Sequence, residues 1–304
     1  MMITAHQRRL FAVIIVCCSL SSCTVGVPDV IPPTDTVKTS TRNNPVLFDA
    51  PDLQGVEKAV DEVERNDGKA GISIMSASGT VNFGTLREGP AWSTIKVPIA
   101  AAVLDTEYAK TAKPFINAAI GMSDNASAQT LWIQLGTPEE AAKKVSKVIR
   151  TGGDKRTKIP IEQIKQRKLV FGRIPWGLEH QTEFLAGWRC RPEADVVLDA
   201  MRNIIPEHTY GIGKIKNSAF KGGWGPDAEG RYLVRQFALI PWGDGELAVA
   251  IAAKPVDGTY ETGKEMLDEI ADSLQTFLRE TKPEEHGWRP LPKCPDNIAR
   301  NQLR

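Results

Sequence analysis

The 304-residue chain carries 38 Lys and Arg against 37 Asp and Glu, a formal net charge of +1 at pH 7. This length suffices for one large core or two intertwined lobes, and the balanced charge excludes a global attraction to nucleic acid. Positive charge is concentrated locally, because residues 143–173 hold eleven Lys or Arg and two acids. We interpret this basic region as a solvated helix face and loop, with contact to anionic envelope polymers or lipid head groups as the alternative.

The amino terminus predicts export and a lipid anchor. Two arginines precede an apolar run over residues 10–20, which is too short to span a bilayer and is typical of a secretory signal. The run ends at Leu20-Ser21-Ser22-Cys23, which resembles the site at which bacterial lipoproteins are cleaved before a lipidated cysteine. Residues 1–22 are therefore expected to be a signal peptide, and Cys23 to anchor the chain at the outer face of the cell membrane. A plain signal peptide without lipid is the alternative.

A disordered tether is expected to follow the anchor. Residues 24–44 are rich in Pro, Thr, Ser and Asn and show no apolar period, so they cannot bury enough surface to fold. The predicted organisation is a lipidated cysteine and tether over 23–45, a folded domain over 46–282 and a polar tail over 283–304.

Within the folded domain, strand patterns lie near both ends and helical patterns lie between them. The predicted helices cover 52–65, a run opening at Ser93, 113–135 with a break at 121–125, 138–149, 178–188, 193–205 and 262–278. The predicted strands cover 71–75, 80–83, 219–224, 232–241 and 247–253. This order predicts an α+β fold in which segments 46–92 and 214–282 build one antiparallel sheet flanked by helices. An all-helical lobe over 93–213 is inserted between them.

Five cysteines are present, and three of them belong to the signal peptide and the lipid site. Cys190 and Cys294 remain as an even pair in an oxidising compartment, where disulfides persist. A bridge between them would close a loop of about 100 residues, worth on the order of 4–5 kcal/mol in the chain-entropy model. Two free buried thiols are the alternative.

Ser93 and Lys96 form the first candidate catalytic pair. Residues three apart on a helix share one face, with Cβ atoms roughly 5–6 Å apart, so the amine can reach the hydroxyl. Serine is a poor nucleophile until a neighbouring base activates it. Ser218 and Lys221 have the same spacing, but they lie on a predicted strand, whereas Ser93 opens a strongly apolar helix. Pro98 removes one backbone donor, which predicts an irregular first turn.

Two further sequence motifs make the assignment of Ser93 and Lys96 as a catalytic pair more specific. Residues 123–125 read Ser-Asp-Asn before a helix, and residues 221–224 read Lys-Gly-Gly-Trp on a strand. Ser-x-x-Lys, Ser-Asp-Asn and Lys-[Thr/Ser]-Gly, in this order, are the motif set of class A β-lactamases and penicillin-binding proteins. Over about residues 46–279 the chain resembles that superfamily. The resemblance implies a β-lactamase-like fold and an active-site serine.

The resemblance also implies a role for each matching residue. Ser93 would be the nucleophile, and Lys96 its base, kept neutral by burial and by Lys221. Ser123 would relay a proton to the leaving group, and Asn125 would hydrogen-bond a side-chain amide of the substrate.

The third motif would bind the substrate. Lys221 would attract a substrate carboxylate, and the backbone N–H groups of Ser93 and Trp224 would form an oxyanion hole. Gly223 is the third residue of the motif, and the resemblance places it in the substrate-binding site as well.

Three departures from the pattern alter the expectation. The gap between the first two motifs is short, so part of the helical lobe must be trimmed. Gly222 stands where the family has a hydroxyl that binds the substrate carboxylate, and Arg231 or Arg235 is expected to compensate. No Glu-x-x-x-Asn occurs within 151–173, and the surroundings of Glu162 do not match the deacylating glutamate. Fast β-lactam hydrolysis is therefore not expected.

No cofactor, metal or nucleic-acid partner is predicted. His180, His208 and His286 show no metal-ligand spacing, and no catalytic role is assigned to them. The favoured hypothesis is an exported lipoprotein acting as a serine hydrolase or acyltransferase on a β-lactam, a peptidoglycan-like peptide or an ester. The alternative is a non-catalytic envelope lipoprotein that binds or scaffolds and retains only the fold.

Overall fold

The computed structural model describes residues 53–166, 170–284 and 287–295. The predicted signal peptide, Cys23 and the tether lie outside the described residues, as does His286. The helices are α1 (Gln54–Asn66), α2 (Lys96–Leu104), α3 (Ala109–Gly121), α4 (Asn125–Gln134), α5 (Pro138–Thr151), α6 (Ile161–Lys165), α7 (Leu178–Trp188), α8 (Ala194–Arg202) and α9 (Tyr260–Glu280). The strands are β1 (Gly68–Ser76), β2 (Gly79–Gly84), β3 (Glu88–Pro90), β4 (Pro175–Gly177), β5 (Ala219–Pro226), β6 (Tyr232–Trp242), β7 (Gly245–Pro255) and β8 (Leu291–Pro292).

The main sheet is assembled from both ends of the domain, which confirms the α+β prediction. Its strand order is β2-β1-β7-β6-β5, with β8 added to β7, and its pairs are antiparallel. β3 and β4 pair separately as a small antiparallel ribbon. β5 is therefore an edge strand, and alternate backbone groups of an edge strand point away from the sheet.

The sheet separates two hydrophobic cores. Side chains alternate between the faces of a strand, so Ala248, Ala250 and Ala252 of β7 join the core under α2 to α8. Leu247, Val249 and Ile251 join the core under α1 and α9. The small alanines let the helices on that side approach the sheet closely.

Helix α2 runs through the middle of the first core. It is buried from Lys96 to Val103, so its start is held in place by packing on all sides. A 3₁₀ turn, Trp92–Ile95, leads into it, so the irregular start was correctly predicted from Pro98, although Ser93 lies before the α-helix proper. The lobe boundaries at 92/93 and 213/214 stay predictions.

The polar tail is tied to the domain. The predicted disulfide is present between Cys190 and Cys294, whose Cα atoms are 5.2 Å apart. Arg189 donates a hydrogen bond to the carbonyl of Pro292 at 2.7 Å, and β8 pairs with the start of β7. The sequence pattern did not predict β8, since two residues are too few to show alternation. Over the described ranges no helix is long and apolar enough to cross a membrane.

Candidate active site

Ser93 lies half-buried in a tightly constrained turn. The preceding residue, Trp92, has a left-handed backbone with φ of 48°, which is strained for a bulky side chain. Its indole is held between Gly225, where an added Cβ would lie 2.5 Å from the ring, and the Arg173 guanidinium, 4.3 Å from the ring centroid. Such strain is characteristic of functional turns, because packing must maintain a conformation that the chain alone avoids.

Strand β5 passes directly beside this turn at Gly223. A Cβ at this position would lie 2.9 Å from the backbone nitrogen of Ser93 and 3.0 Å from the carbonyl oxygen of Ala91. Only glycine permits the approach. The contact places the backbone around Trp224, on the edge strand, next to Ser93, where the sequence predicted the two oxyanion-hole donors.

Lys96 is buried, and its amine is held by two acceptors. Nζ donates to the carbonyl oxygen of Ser123 at 2.6 Å and to Oδ1 of Asn125 at 2.8 Å. Burial lowers the pKa of Lys96 to about 8, and the charge of Asp124 opposes this shift. A neutral amine has two N–H bonds and one lone pair. These two hydrogen bonds use both N–H bonds and leave the lone pair available.

The expected hydrogen bond between Lys96 and the Ser93 hydroxyl is not formed. The described hydrogen bonds of Nζ go to Ser123 and Asn125 instead. Catalytic contacts are often long in a structure without substrate and tighten only in the complex. The Lys96 amine thus lies one helical turn beyond Ser93. Both N–H bonds of its neutral form are already used in hydrogen bonds to Ser123 and Asn125.

Ser123 joins the two candidate lysines. It has a left-handed φ of 57° in the loop between α3 and α4. Its carbonyl accepts from Lys96, and its hydroxyl oxygen accepts from Nζ of Lys221 at 3.0 Å. The carboxylate of Asp124 caps α4 by accepting from the N–H of Ser127 at 2.6 Å. Hydrogen bonds from Ser127, first from its side chain and then from this N–H, lower the pKa of Asp124.

Lys221 is a second buried amine. Its Nζ also donates to the carbonyl oxygen of Gly222 at 2.9 Å. Burial, together with the positive charge of Lys96, lowers the pKa of Lys221 well below its usual value. The site therefore concentrates positive charge and favours an anionic ligand.

The two arginines expected to compensate for Gly222 do not reach the lysine pair, which corrects that interpretation. Arg231 is exposed at the far end of the β5–β6 hairpin, where it binds Asp227 and Glu229 at 3.2 and 3.1 Å. Arg235 is fully buried and donates to the carbonyls of Gly89, at 2.9 Å, and Pro90, at 3.0 Å. Arg231 is paired with acids, and both terminal nitrogens of Arg235 donate to protein acceptors.

The acids of segment 151–173 make no described hydrogen bond or ion pair with Ser93, Lys96 or Ser123. Asp154 and Glu162 are its only acids. Asp154 is buried and accepts from the Trp176 indole N–H at 3.0 Å, so it serves the loop structure. Glu162 is exposed on α6. Within the described chain, Asp124 is the one carboxylate whose charge acts on Lys96.

Sequence reasoning missed two residues beside the third motif. The His208 ring lies 4.9 Å from the Trp224 ring, and the pKa of His208 is lowered by burial and then by Lys221. The Tyr210 hydroxyl would lie 3.4 Å from a Cβ on Gly222. Neither residue belongs to a motif, so no local signal could have found them. In the described part of the chain, no three His, Cys, Asp or Glu side chains are grouped as a metal site.

Comparison with solved structures identifies the fold. The extended-spectrum β-lactamase TLA-3 matches with a TM-score of 0.58 and 15% identity over 73% of this chain and 98% of that chain. This chain has a class A β-lactamase-like fold. A class A β-lactamase from Bacteroides cellulosilyticus matches with a TM-score of 0.58 and 14% identity over 74% and 99% of the two chains. The chromosome-encoded β-lactamase of Vibrio parahaemolyticus matches with a TM-score of 0.55 and 15% identity over 74% of this chain and 100% of that chain.

The sequence itself is divergent. No protein-family profile and no curated protein matches the chain. At identities of 14–15% the likeness to the solved β-lactamases is a likeness of fold. The roles of individual residues therefore depend on the geometry of this site.

The two central glycines of the third motif should respond differently to alanine. Gly223→Ala places a methyl group 2.9 Å from the backbone nitrogen of Ser93, whereas Gly222→Ala meets nothing closer than 3.4 Å. Overpacking of this kind costs about 1–3 kcal/mol. Thermal unfolding should show a lower melting temperature for Gly223→Ala and an unchanged one for Gly222→Ala. Equal melting temperatures would contradict the close approach of β5 to the turn.

Proposed function

We propose that this protein is an exported serine hydrolase or acyltransferase that forms an acyl-enzyme on Ser93. The observation that carries the proposal is the state of Lys96. Its pKa of about 8 makes a neutral amine accessible near neutral pH, and its hydrogen bonds to Ser123 and Asn125 leave the lone pair for the serine proton. A general base is most effective when its pKa lies near the working pH.

In the proposed acylation, Lys96 contacts Ser93 in the substrate complex, where catalytic contacts tighten. Ser93 Oγ attacks the substrate carbonyl while its proton moves to Nζ of Lys96. The Oγ–carbon bond forms, and the carbon–nitrogen or carbon–oxygen bond to the leaving group breaks. The hydroxyl of Ser123 passes its proton to the leaving atom and takes a replacement proton from Nζ of Lys221, which donates to its oxygen, while Lys96 retains the proton of Ser93. The backbone N–H groups of Ser93 and Trp224 stabilise the oxyanion, and each such donor is worth roughly 3–4 kcal/mol of barrier.

The substrate class follows from the charge of the site. Two buried amines, Lys96 and Lys221, share it with one neighbouring carboxylate, so an acyl donor that carries an anionic group is favoured. A β-lactam, a peptidoglycan-like peptide or an ester with a carboxylate meets this requirement. The side-chain amide of Asn125 has its oxygen on Lys96 and keeps its nitrogen for a substrate carbonyl.

The same geometry predicts slow release of the acyl group. Hydrolysis of the ester needs a base to activate water, but Asp154 is already hydrogen-bonded to Trp176 and Glu162 makes no described contact with Ser93. An acyl-enzyme should therefore accumulate. A non-catalytic envelope scaffold is the second candidate, and the lack of this base together with Gly222 favours it.

Intact-protein mass spectrometry after incubation with benzylpenicillin or p-nitrophenyl acetate should detect one covalent adduct per chain. Ser93→Ala should abolish the adduct, and Lys96→Met should slow its formation by about 100-fold or more, since general bases contribute 10²–10⁴-fold. Ser218→Ala is the matched control, because this serine has the same spacing to a lysine but its hydroxyl donates to the carbonyl of Ile212. Rapid turnover without adduct would reveal a missed deacylating base, and no reaction with either reagent would favour the scaffold.

We infer a location at the membrane from the predicted signal peptide and lipid site. A lipid on Cys23 and a tether over 24–44 would hold the domain near a membrane surface. The basic region supports a contact there, because Lys143, Lys147, Arg150 and Lys155 line a groove of about 460 Å³ on α5. This groove contains none of the residues around Ser93, and it suits an anionic envelope polymer as partner.

The anchor is tested by Cys23→Ala. Because a thioether-linked lipid would be the only covalent link to the membrane, the variant should move from the membrane fraction to the soluble or secreted fraction. Quantitative blotting of the two fractions measures the change. Unchanged membrane retention would disprove lipid anchoring through this cysteine.

A further inference from the structure

Arg235 on β6 is a buried cation whose described hydrogen bonds all go to uncharged acceptors. Its side chain is fully buried. Burial lowers the pKa of the guanidinium to about 9, and the charge of Glu88 opposes this shift. A charged group is costly to remove from water unless hydrogen bonds replace its hydration. Its two terminal nitrogens donate to the carbonyl oxygens of Gly89, Pro90 and Trp176 and to the side-chain oxygen of Gln181.

The guanidinium holds both strands of the small ribbon that leads to the nucleophile. One nitrogen donates to the carbonyls of Gly89 and Pro90 on β3, at 2.9 and 3.0 Å, and the other donates to the carbonyl of Trp176 on β4 at 3.0 Å. β3 ends three residues before Ser93. A guanidinium presents its donors in a fixed planar fork, which a lysine amine cannot reproduce. One side chain of β6 therefore fixes the entry to the turn.

A second route reaches the turn through side chains. The Gln181 oxygen accepts from Arg235, the Gln181 nitrogen donates to the hydroxyl oxygen of Thr94 at 2.9 Å, and that hydroxyl donates to the carbonyl of Ala91. Both Gln181 and Thr94 are fully buried. Because a guanidinium can only donate, it fixes the orientation of the amide. The amide in turn leaves the Thr94 hydroxyl free to donate only to the turn.

The turn needs such support because its backbone is strained. Trp92 has a φ of 48°, and a bulky residue in this region is held there only by its surroundings. The residues on either side of Trp92 and Ser93 are the ones that the chain of hydrogen bonds reaches. The N–H of Ala91 donates to the carbonyl of Ile174 at 2.8 Å, and the N–H of Thr94 donates to the carbonyl of Ala91 at 3.1 Å.

We propose that Arg235 is a positioning residue that orients the turn carrying Ser93. It acts through β3 and through the chain of Gln181 and Thr94, and it aligns the serine hydroxyl and the backbone N–H for attack on the acyl donor. Its described hydrogen bonds include none to Ser93 or Lys96, so it takes no part in proton transfer. The inference rests on the proposed function only for the reaction that the turn serves.

The kinetic test removes the last hydroxyl of the chain. Thr94→Val keeps the shape of the side chain, and the limiting rate of adduct formation with p-nitrophenyl acetate should fall about tenfold or more, because a small misplacement of reacting groups is costly. The half-saturating ester concentration should stay unchanged. Thr94→Ser keeps the hydroxyl and should restore most of the rate. Thr182→Val is the matched control, because this buried hydroxyl, next to Gln181 on α7, donates to the carbonyl of Glu179 at 2.8 Å.

Two further variants test the origin of the chain. Arg235→Lys removes the fork, and Gln181→Met breaks the chain one step later while leaving the guanidinium on β3. Each should slow adduct formation as Thr94→Val does. Because Gln181 and Thr94 act in one chain, the double variant should be no slower than the slower single variant. A normal rate in Gln181→Met, multiplied effects in the double variant, or equal slowing in Thr182→Val would overturn the proposal.

Amide hydrogen exchange tests the hold on the turn without any reaction. In Thr94→Val and Gln181→Met, the amides of residues 91 and 94 should exchange about tenfold faster, while those of β7 stay unchanged as reporters of global stability. Unchanged exchange at residues 91 and 94 would overturn the proposal. Faster exchange there, in a protein whose wild type forms no adduct, would refute the proposed function and support the role of Arg235 in holding the turn.

Discussion

The site depends on burying two lysine amines together with one neighbouring carboxylate, Asp124, whose charge only partly opposes the effect of burial on Lys96. Desolvation alone disfavours a buried ammonium, and a like charge nearby disfavours it further. Burial lowers the pKa of both lysines, and the charge of Lys96 lowers the pKa of Lys221 further. Ser123 offsets part of the cost of this burial, because its carbonyl oxygen accepts a hydrogen bond from Lys96 and its hydroxyl oxygen accepts one from Lys221. The energetic cost of this burial is what provides a base near neutral pH.

The rest of the fold holds these groups in place. Helix α2 is buried along its length, so Lys96 cannot move toward water without disturbing the core. A buried chain of hydrogen bonds runs from Arg235 to Gln181, and from Gln181 to the Thr94 hydroxyl at 2.9 Å, next to Ser93. The same guanidinium holds β3 through two carbonyls. Strand β6 is thereby tied to the turn that carries the nucleophile, and Gly223 allows β5 to approach that turn.

Much of the fold was predictable because it depends on periodicity. The alternating strands near both ends and the apolar run after Ser93 gave the sheet and the central helix, and the two late cysteines gave the disulfide. Ser93, Lys96, Ser123 and Lys221 were found because a spacing within one element, or a short motif, marks each of them. These signals are local, and the fold brings them together.

What could not be predicted depends on tertiary packing. Arg231 is ten residues from Lys221 in sequence, but the hairpin carries it away from the amines and beside Asp227. His208 belongs to no motif, and its place beside Trp224, within electrostatic range of Lys221, depends on tertiary packing. The hydrogen bonds of Lys96 to Ser123 and Asn125, rather than to Ser93, depend on the left-handed backbone of Ser123, which sequence alone does not indicate.

The most direct test of this account is the pKa of Lys96, measured by NMR titration of protein with ¹³C- and ¹⁵N-labelled lysine. Loss of the signal in Lys96→Met assigns it. We expect a pKa of about 8, so that about one amine in ten is neutral at pH 7 and about nine in ten at pH 9. The fraction competent to accept the Ser93 proton therefore rises with pH across this range. A pKa near the ordinary lysine value of about 10.4 would mean that Lys96 stays charged, and would contradict the assignment of Lys96 as the base.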